Sequence, residues 1–385
     1  MPISPSAAGQ GETDIPVAVV SSRYYHPELD ALRFLAFLLV FLTHVGPAFA
    51  RFHPSMLAIS FGGAFGVPLF FTLSSFLITE LLIRERERTT TVNVRAFLIR
   101  RMLRIWPLYF TFLIFGIIYA LIQGHHVPGL LVASYLALSA NWYCAFHGFP
   151  ALFISPLWSI SIEEQFYLIW PSCARLAGRT GLLVLALVCW IVFLPTLACL
   201  GPVDFLRTWP DSLVQFQFFA LGAFLAMILH RRVIRFPSFV RLGMVVAGLF
   251  CYYAAARYIN AHGNGFRSFA PGYLLIQLGC LSLLLGVYEM QQPMSFMRRP
   301  YDVIVWLGRI SYGLYVFHIL AWHIVGRTFA HIQGGKLGSS LMGLLCEDGV
   351  VLATTVVFAA MSYYFLEKRF LRYKERFTVI RSRPE

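Results

Sequence analysis

The 385-residue sequence predicts an all-α, polytopic transmembrane bundle of about ten spans with both termini in the cytoplasm. Three observations lead there. Of the residues, 58% are hydrophobic and only 13% charged, too apolar a chain to cover its own core with polar surface. Windows of about 20 apolar residues, enough to cross a roughly 30 Å hydrocarbon core, recur at 30–50, 63–83, 103–122, 157–175, 180–200, 212–230, 239–258, 270–288, 303–325 and 347–366. Most of the Lys and Arg residues cluster in alternate loops, around 84–104, 175–179, 231–241, 298–299 and 368–383. That bias places those loops and both ends inside. An eleventh span over 129–146 would put the later arginine clusters outside, so this stretch is expected to be re-entrant or interfacial.

The flanks are simple. Residues 1–25 read as a flexible cytoplasmic tail with no cleavable signal peptide, 26–370 as the membrane domain, and 371–385 as a basic cytoplasmic tail. The formal net charge of +13 sits beside the spans as a topology signal, which argues against nucleic acid as a partner. Seven scattered cysteines without C-x-x-C spacing indicate neither a metal site nor a disulfide framework.

The first span contains "ALRFLAFLLVFLTHV", residues 31–45. Eleven residues separate Arg33 from His44, which is about 1100° of helix, or three turns plus roughly 20°. Both therefore lie on one stripe with Asp30 and Val40, about 16 Å apart along the axis. Alone, Arg33 would serve as a snorkelling anchor and His44 as an interhelical hydrogen-bonder. Intramembrane ionisable groups usually face a bundle interior, however, and a histidine there suits a general base.

The entry to the third span, "RAFLIRRMLRIWPLYF" (95–110), puts Arg101 and Arg104 at i, i+3, level with Arg33. Some of the seven arginines between 84 and 104 are positive-inside anchors; a guanidinium cluster also fits phosphate groups. The fourth span opens with "SPLWSISIEEQFYLIWP" (155–171), carrying Glu163 and Glu164. Counted from the span ends, Glu163 and His44 lie at matching depths of roughly 8–9 Å, and a carboxylate beside an imidazole fixes its tautomer. Adjacent glutamates diverge by about 100°, so one faces the site and the other a neighbouring helix or the surface. The 123–156 loop, with His125, His126, Asn141, Trp142, Tyr143 and His147, offers an aromatic outer surface suited to a sugar face or to a membrane-interface belt.

These ordered motifs resemble the membrane-bound acyltransferase-3 family, integral membrane O-acyltransferases of cell-surface glycans and some small molecules. The resemblance runs from about residue 26 to 372. Its matching parts are "ELDALRFLAFLLVFLTH", "GVPLFFTLSSFLITELL", "FLIRRMLRIWPLYF", "PLWSISIEEQFYLIWP", "LGRISYGLYVFH" and "SYYFLEKRF". Two departures stand out. Leu73-Ser74-Ser75-Phe76 replaces a usual Leu-Ser-Gly-Phe, a change expected to tighten a helix contact, and Glu367-Lys368-Arg369-Phe370 replaces Glu-Lys-Pro-Phe. The chain stops at Glu385, so the hydrolase-like domain that many members carry is expected to be absent.

The resemblance implies an acyltransferase domain over 26–370 in the bacterial inner (plasma) membrane. It implies His44 as the essential histidine with Glu163 as its partner, and Arg33, Arg101 and Arg104 in the acyl-CoA-binding motifs. His318, ending "GRISYGLYVFH", is expected to be a packing residue. The expected donor is acyl-CoA, acetyl-CoA foremost, with no tightly bound cofactor and no metal. The expected acceptor is a hydroxyl of an extracytoplasmic or lipid-linked glycan, reached among membrane lipids. Direct attack on the thioester and a covalent acyl-histidine both remain open. A transporter or flippase of a glycolipid or small solute, and an acyltransferase for a macrolide-like molecule, are the alternatives.

Overall fold

The structure is a computed structural model that describes residues 24–201, 205–232, 234–263, 265–290, 297–333, 340–378 and 380. The expected N-terminal tail over 1–23 and the last residues of the basic tail lie outside the described residues. Most of the described residues are helical. The main elements are α1 (Pro27–Val45), α2 (Ser55–Gly63), α3 (Gly66–Thr89), α4 (Val94–Ile122), α5 (Gly129–Leu136) and α6 (Ala140–His147). They continue with α7 (Trp158–Leu200), α8 (Phe205–Thr208), α9 (Ser212–Leu229), α10 (Ser238–His262) and α11 (Phe266–Val287). The chain closes with α12 (Arg298–Arg309), α13 (Ser311–Gln333), α14 (Leu341–Ser362) and α15 (Lys368–Lys374).

Among the described residues, eight helices are long and apolar enough to cross a membrane, or nine if the bent pair α12–α13 forms one span. The chain is an integral membrane protein. The number falls short of the ten expected partly because the fourth and fifth windows join in one 46-residue stretch, Ser155–Leu200. A straight helix of that length would measure about 69 Å, more than twice the hydrocarbon thickness. Gly178 breaks it with φ 59° and ψ −147°, a conformation open to glycine. A Cβ on Gly181 would lie 3.3 Å from Cys173 Sγ, eight residues earlier, so the chain folds back at the break. Arg86 sits in the bend and donates to the carbonyls of Ala174 (2.6 Å) and Arg175 (2.8 Å), groups that the end of a helix leaves without partners.

The 129–146 stretch does not cross. It forms α5 and α6, eight residues each, or about 12 Å of helix apiece. Side-chain caps mark other boundaries: Asn93 Oδ1 accepts from Ala96 N (2.9 Å) at α4, and Asp211 Oδ1 from Leu213 N (2.7 Å) at α9.

Large apolar side chains such as Ile122, Leu176 and Phe239 are exposed on the outer faces, as helices facing lipid require. Polar contacts join helices inside. In the Leu73-Ser74-Ser75-Phe76 motif, the Ser75 hydroxyl donates to the Phe219 carbonyl of α9, so the serine in place of glycine does tie two helices together. Helix α12 crosses the start of α1 at Gly308, where a Cβ would stand 1.8 Å from the Asp30 carbonyl oxygen. Helix α13 then turns 76° away from α12.

Candidate active site

Two adjoining cavities, each about 90 Å³, open at the Arg33 end of α1 and share Arg33, Ser74, Arg101 and Arg104. The shallower one is also lined by Tyr25, Arg100, Lys374 and Ile380, and the deeper one by Ser159, Glu163, Tyr312 and Tyr315. The segment expected as a basic cytoplasmic tail contributes Lys374, Thr378 and Ile380 to a cavity wall.

The arginines around these cavities do different work. Arg33 donates to Asp30 Oδ1 (3.0 Å) one helical turn back, and Asp30 Oδ2 also accepts from the Tyr25 hydroxyl (3.1 Å). Burial and the neighbouring Asp30 carboxylate raise the Tyr25 phenol above its ordinary range, which keeps it a donor. Arg100 is spent on the Glu85 carboxylate (3.3 Å) and the Phe377 carbonyl (2.5 Å). Arg101 lies over the rings of Phe97 (5.2 Å) and Tyr167 (5.4 Å). Neither Arg101 nor Arg104 makes a hydrogen bond to any described residue. Two guanidinium forks with unused donors on a cavity wall are chemically an anion site.

Glu163 and Glu164 diverge as helical geometry requires. Glu163 lies in the deeper cavity, where its oxygens accept from Ser74 (3.0 Å) and Tyr167 (2.9 Å) and feel the charges of Arg101 and Arg104. Glu164 turns to α4 and accepts from Trp106 Nε1 (3.2 Å). Another buried carboxylate, Glu367, accepts from Ser362 (3.0 Å) and feels the charge of Arg104. Sequence reasoning passed over it, although it is the acidic residue of the quoted "SYYFLEKRF" stretch.

His44 stands at the other end of α1, exposed on one side. The ring beside it is that of buried His318 on α13, with centroids 5.0 Å apart. Among the described residues no hydrogen bond joins His44 to Glu163. Ser159, one turn before Glu163, bonds the Tyr315 hydroxyl (2.8 Å), and Tyr315 precedes His318 by three residues. Those offsets put Glu163 about 10 Å nearer the Arg33 end than His44. The depth match inferred from the sequence assumed that both spans end in one plane; instead a 3₁₀ turn, Gly46–Arg51, prolongs the first span past its α-helix. His318, expected only to pack, is the histidine that meets His44. Its placement was not legible from spacing, because α13 is contiguous with α1 only in space.

Polar side chains recur at intervals from the arginines to the histidines. Arg101, Arg104 and Glu163 occupy the deeper cavity, Ser159 and Tyr315 line its far wall, and His318 and His44 follow. In the 123–156 segment, His125, His126 and His147 are exposed, and Trp142 and Tyr143 are half-buried. Asn141 is not an outer-surface residue. It is fully buried and bonds Ser212 (2.9 Å), the Pro210 carbonyl (3.1 Å) and Gln165 (2.9 Å).

Comparison with known proteins finds relatives named as O-acetyltransferases. The peptidoglycan O-acetyltransferase OatA of Listeria monocytogenes serovar 1/2a is 34% identical over 163 residues, covering 39% of this chain and 24% of the relative. The putative peptidoglycan O-acetyltransferase YrhL of Bacillus subtilis strain 168 is 29% identical over 373 residues, 89% of this chain and 54% of the relative. A putative O-acetyltransferase of Staphylococcus aureus strain MSSA476 is 26% identical over 388 aligned positions, 94% and 59% respectively. The chain thus spans between 24% and 59% of the length of these relatives. No solved structure matches. The acyltransferase-3 model, described as an acyltransferase domain, matches residues 26–364, and the chain belongs to that family.

Proposed function

We propose that this protein is an O-acyltransferase that moves an acyl group, acetyl foremost, from cytoplasmic acyl-CoA to a hydroxyl of an extracytoplasmic or lipid-linked glycan. The observation that carries the reading is the series of polar groups with unpaired Arg101 and Arg104 at one end and exposed His44 at the other. In this reading the bundle crosses the bacterial inner membrane ten times. The break at Gly178 makes Ser155–Leu200 two crossings, α12–α13 serves as one, and both termini and the Arg33 end face the cytoplasm. Peptidoglycan, named in two of the relatives, is the leading acceptor.

The CoA phosphates bind Arg101 and Arg104, with Arg33 held in line by Asp30. Glu163 balances the arginine charges and orders them through Ser74 and Tyr167. The thioester arm extends along the deeper cavity toward His44. His44 takes the proton of the acceptor hydroxyl as its oxygen attacks the thioester carbon. The carbon–sulfur bond breaks, and CoA leaves as a thiolate that is then protonated.

The test is release of CoA thiol from acetyl-CoA by purified protein given a peptidoglycan fragment, with mass spectrometry of the fragment. Acceptor-dependent release with a 42 Da gain on the glycan is expected. Movement of glycan across a vesicle membrane without acetyl-CoA consumption would instead identify a transporter. Replacing His44 by Ala should lower turnover by about 10²- to 10⁴-fold; wild-type turnover in that variant removes the general-base role.

A further inference from the structure

His318 is buried on α13, and its Nδ1–H donates to the Tyr315 carbonyl at 2.6 Å. In a neutral imidazole that bond leaves Nε2 as a bare acceptor. Nε2 is itself buried and has no hydrogen-bond partner. An orphaned acceptor in an apolar interior costs stability unless a donor reaches it. The ring next to it is His44, centroid to centroid 5.0 Å, tilted by 49°. Each ring nitrogen stands about 1.1 Å from its centroid, so with His318 held in place a turn of the His44 ring can bring N···N to as little as about 2.8 Å, a hydrogen-bonding distance.

Tyr315 is anchored in turn. Its hydroxyl pairs with Ser159 (2.8 Å) and donates to the Pro156 carbonyl (3.1 Å). The backbone that sets the His318 tautomer is therefore tied to the start of α7, which also carries Glu163. Phe37, fully buried on α1, meets the His318 ring edge-on at 6.3 Å, leaving the ring little room to flip.

We infer that His318 is a positioning residue for the transfer: its fixed, bare Nε2 accepts the N–H of His44 and so selects the His44 tautomer whose other nitrogen presents a lone pair to the acceptor hydroxyl. This rests on His44 as the general base. The orienting group is a second imidazole, where the sequence suggested the carboxylate of Glu163. During transfer the proton taken from the hydroxyl adds to the free nitrogen of His44. The resulting imidazolium keeps its N–H on His318 Nε2 and gives the proton it gained to the departing CoA thiolate, which leaves as the thiol.

Two variants of the full chain test this. His318→Leu removes the acceptor, and His318→Gln can return one through its side-chain oxygen. The first readout is the ¹⁵N spectrum of protein made with ¹⁵N-histidine, with the His44 signals assigned by loss in His44→Ala. Wild type should hold His44 in one tautomer, His318→Leu should give a mixture, and His318→Gln should restore the single form. The second readout is CoA thiol release from acetyl-CoA with chitotetraose as acceptor. His318→Leu should lower kcat about ten- to a hundred-fold with the donor KM unchanged, and His318→Gln should recover most of it. An unaltered tautomer ratio in both variants overturns the assignment, as does a glutamine variant no better than leucine at equal thermal stability. Should His44→Ala itself keep wild-type turnover, the general-base reading fails, whereas the tautomer measurement still judges the His44–His318 contact.

Discussion

Arg104 offers the sharpest test of the anion site. Its guanidinium lines both cavities yet makes no hydrogen bond to a described residue, so removing it breaks no bond that holds the fold. The charges acting on it oppose one another: Glu163 and Glu367 attract it, and Arg101 repels it. Substitution by Ala should therefore change the melting temperature little. A charge-assisted hydrogen bond contributes about 1.5–3 kcal/mol, and 1.4 kcal/mol is a factor of ten in affinity. Losing one such contact to a CoA phosphate should weaken donor binding by roughly 10- to 150-fold. Titration calorimetry of CoA against purified protein measures this directly. Arg104→Lys should fall between, since it keeps the charge but loses the fork. Arg100→Ala is the control: that guanidinium is already spent on Glu85 and Phe377, so its loss should lower stability more than donor affinity. If Arg104→Ala binds CoA within twofold of wild type at 0.15 M salt, the phosphate assignment is wrong.

Three further expectations follow from packing. A Cβ at Gly308 would stand 1.8 Å from the Asp30 carbonyl, so Gly308→Val should force α12 off α1, cost about 1–3 kcal/mol, and weaken donor binding by displacing Asp30 from Arg33. A variant with unchanged melting temperature and donor affinity would contradict that crossing. Asn141→Leu strands the polar groups of Gln165 and Ser212 in the interior and should cost about 1–3 kcal/mol while leaving the acceptor KM unaltered; a raised KM with full stability would place Asn141 at the acceptor after all. Ser75→Gly removes the hydroxyl that bonds Phe219 and puts glycine inside a helix, which together should cost about 1–2.5 kcal/mol, read as a lower thermal midpoint in detergent.

Much of this protein was legible along its chain. Apolar runs of membrane length have no other stable fate than helix, because a backbone in hydrocarbon must satisfy its own hydrogen bonds. The Arg33–His44 stripe follows from helical periodicity alone, and so does the divergence of Glu163 from Glu164, since both are rules within one element. The family resemblance, read from ordered motifs, met its match in residues 26–364. Those motifs also named every arginine that lines the two cavities. Their division of labour was hidden, because whether a guanidinium is spent or free depends on which acceptors the neighbouring helices bring, as Glu85 and Phe377 do for Arg100.

What tertiary structure alone decided is relative height and neighbourhood between helices. A sequence gives each span a length but no common plane, so depths counted from span ends set Glu163 level with His44, whereas the ring beside His44 in the folded chain is that of His318. The fold-back at Gly178, the close crossing at Gly308 and the bend between α12 and α13 set those heights. Hydrophobic periodicity dictates which face of a helix is buried. Which side chain it meets there is settled by packing against helices hundreds of residues away, and that is how two histidines from the first and one of the last spans come to lie side by side.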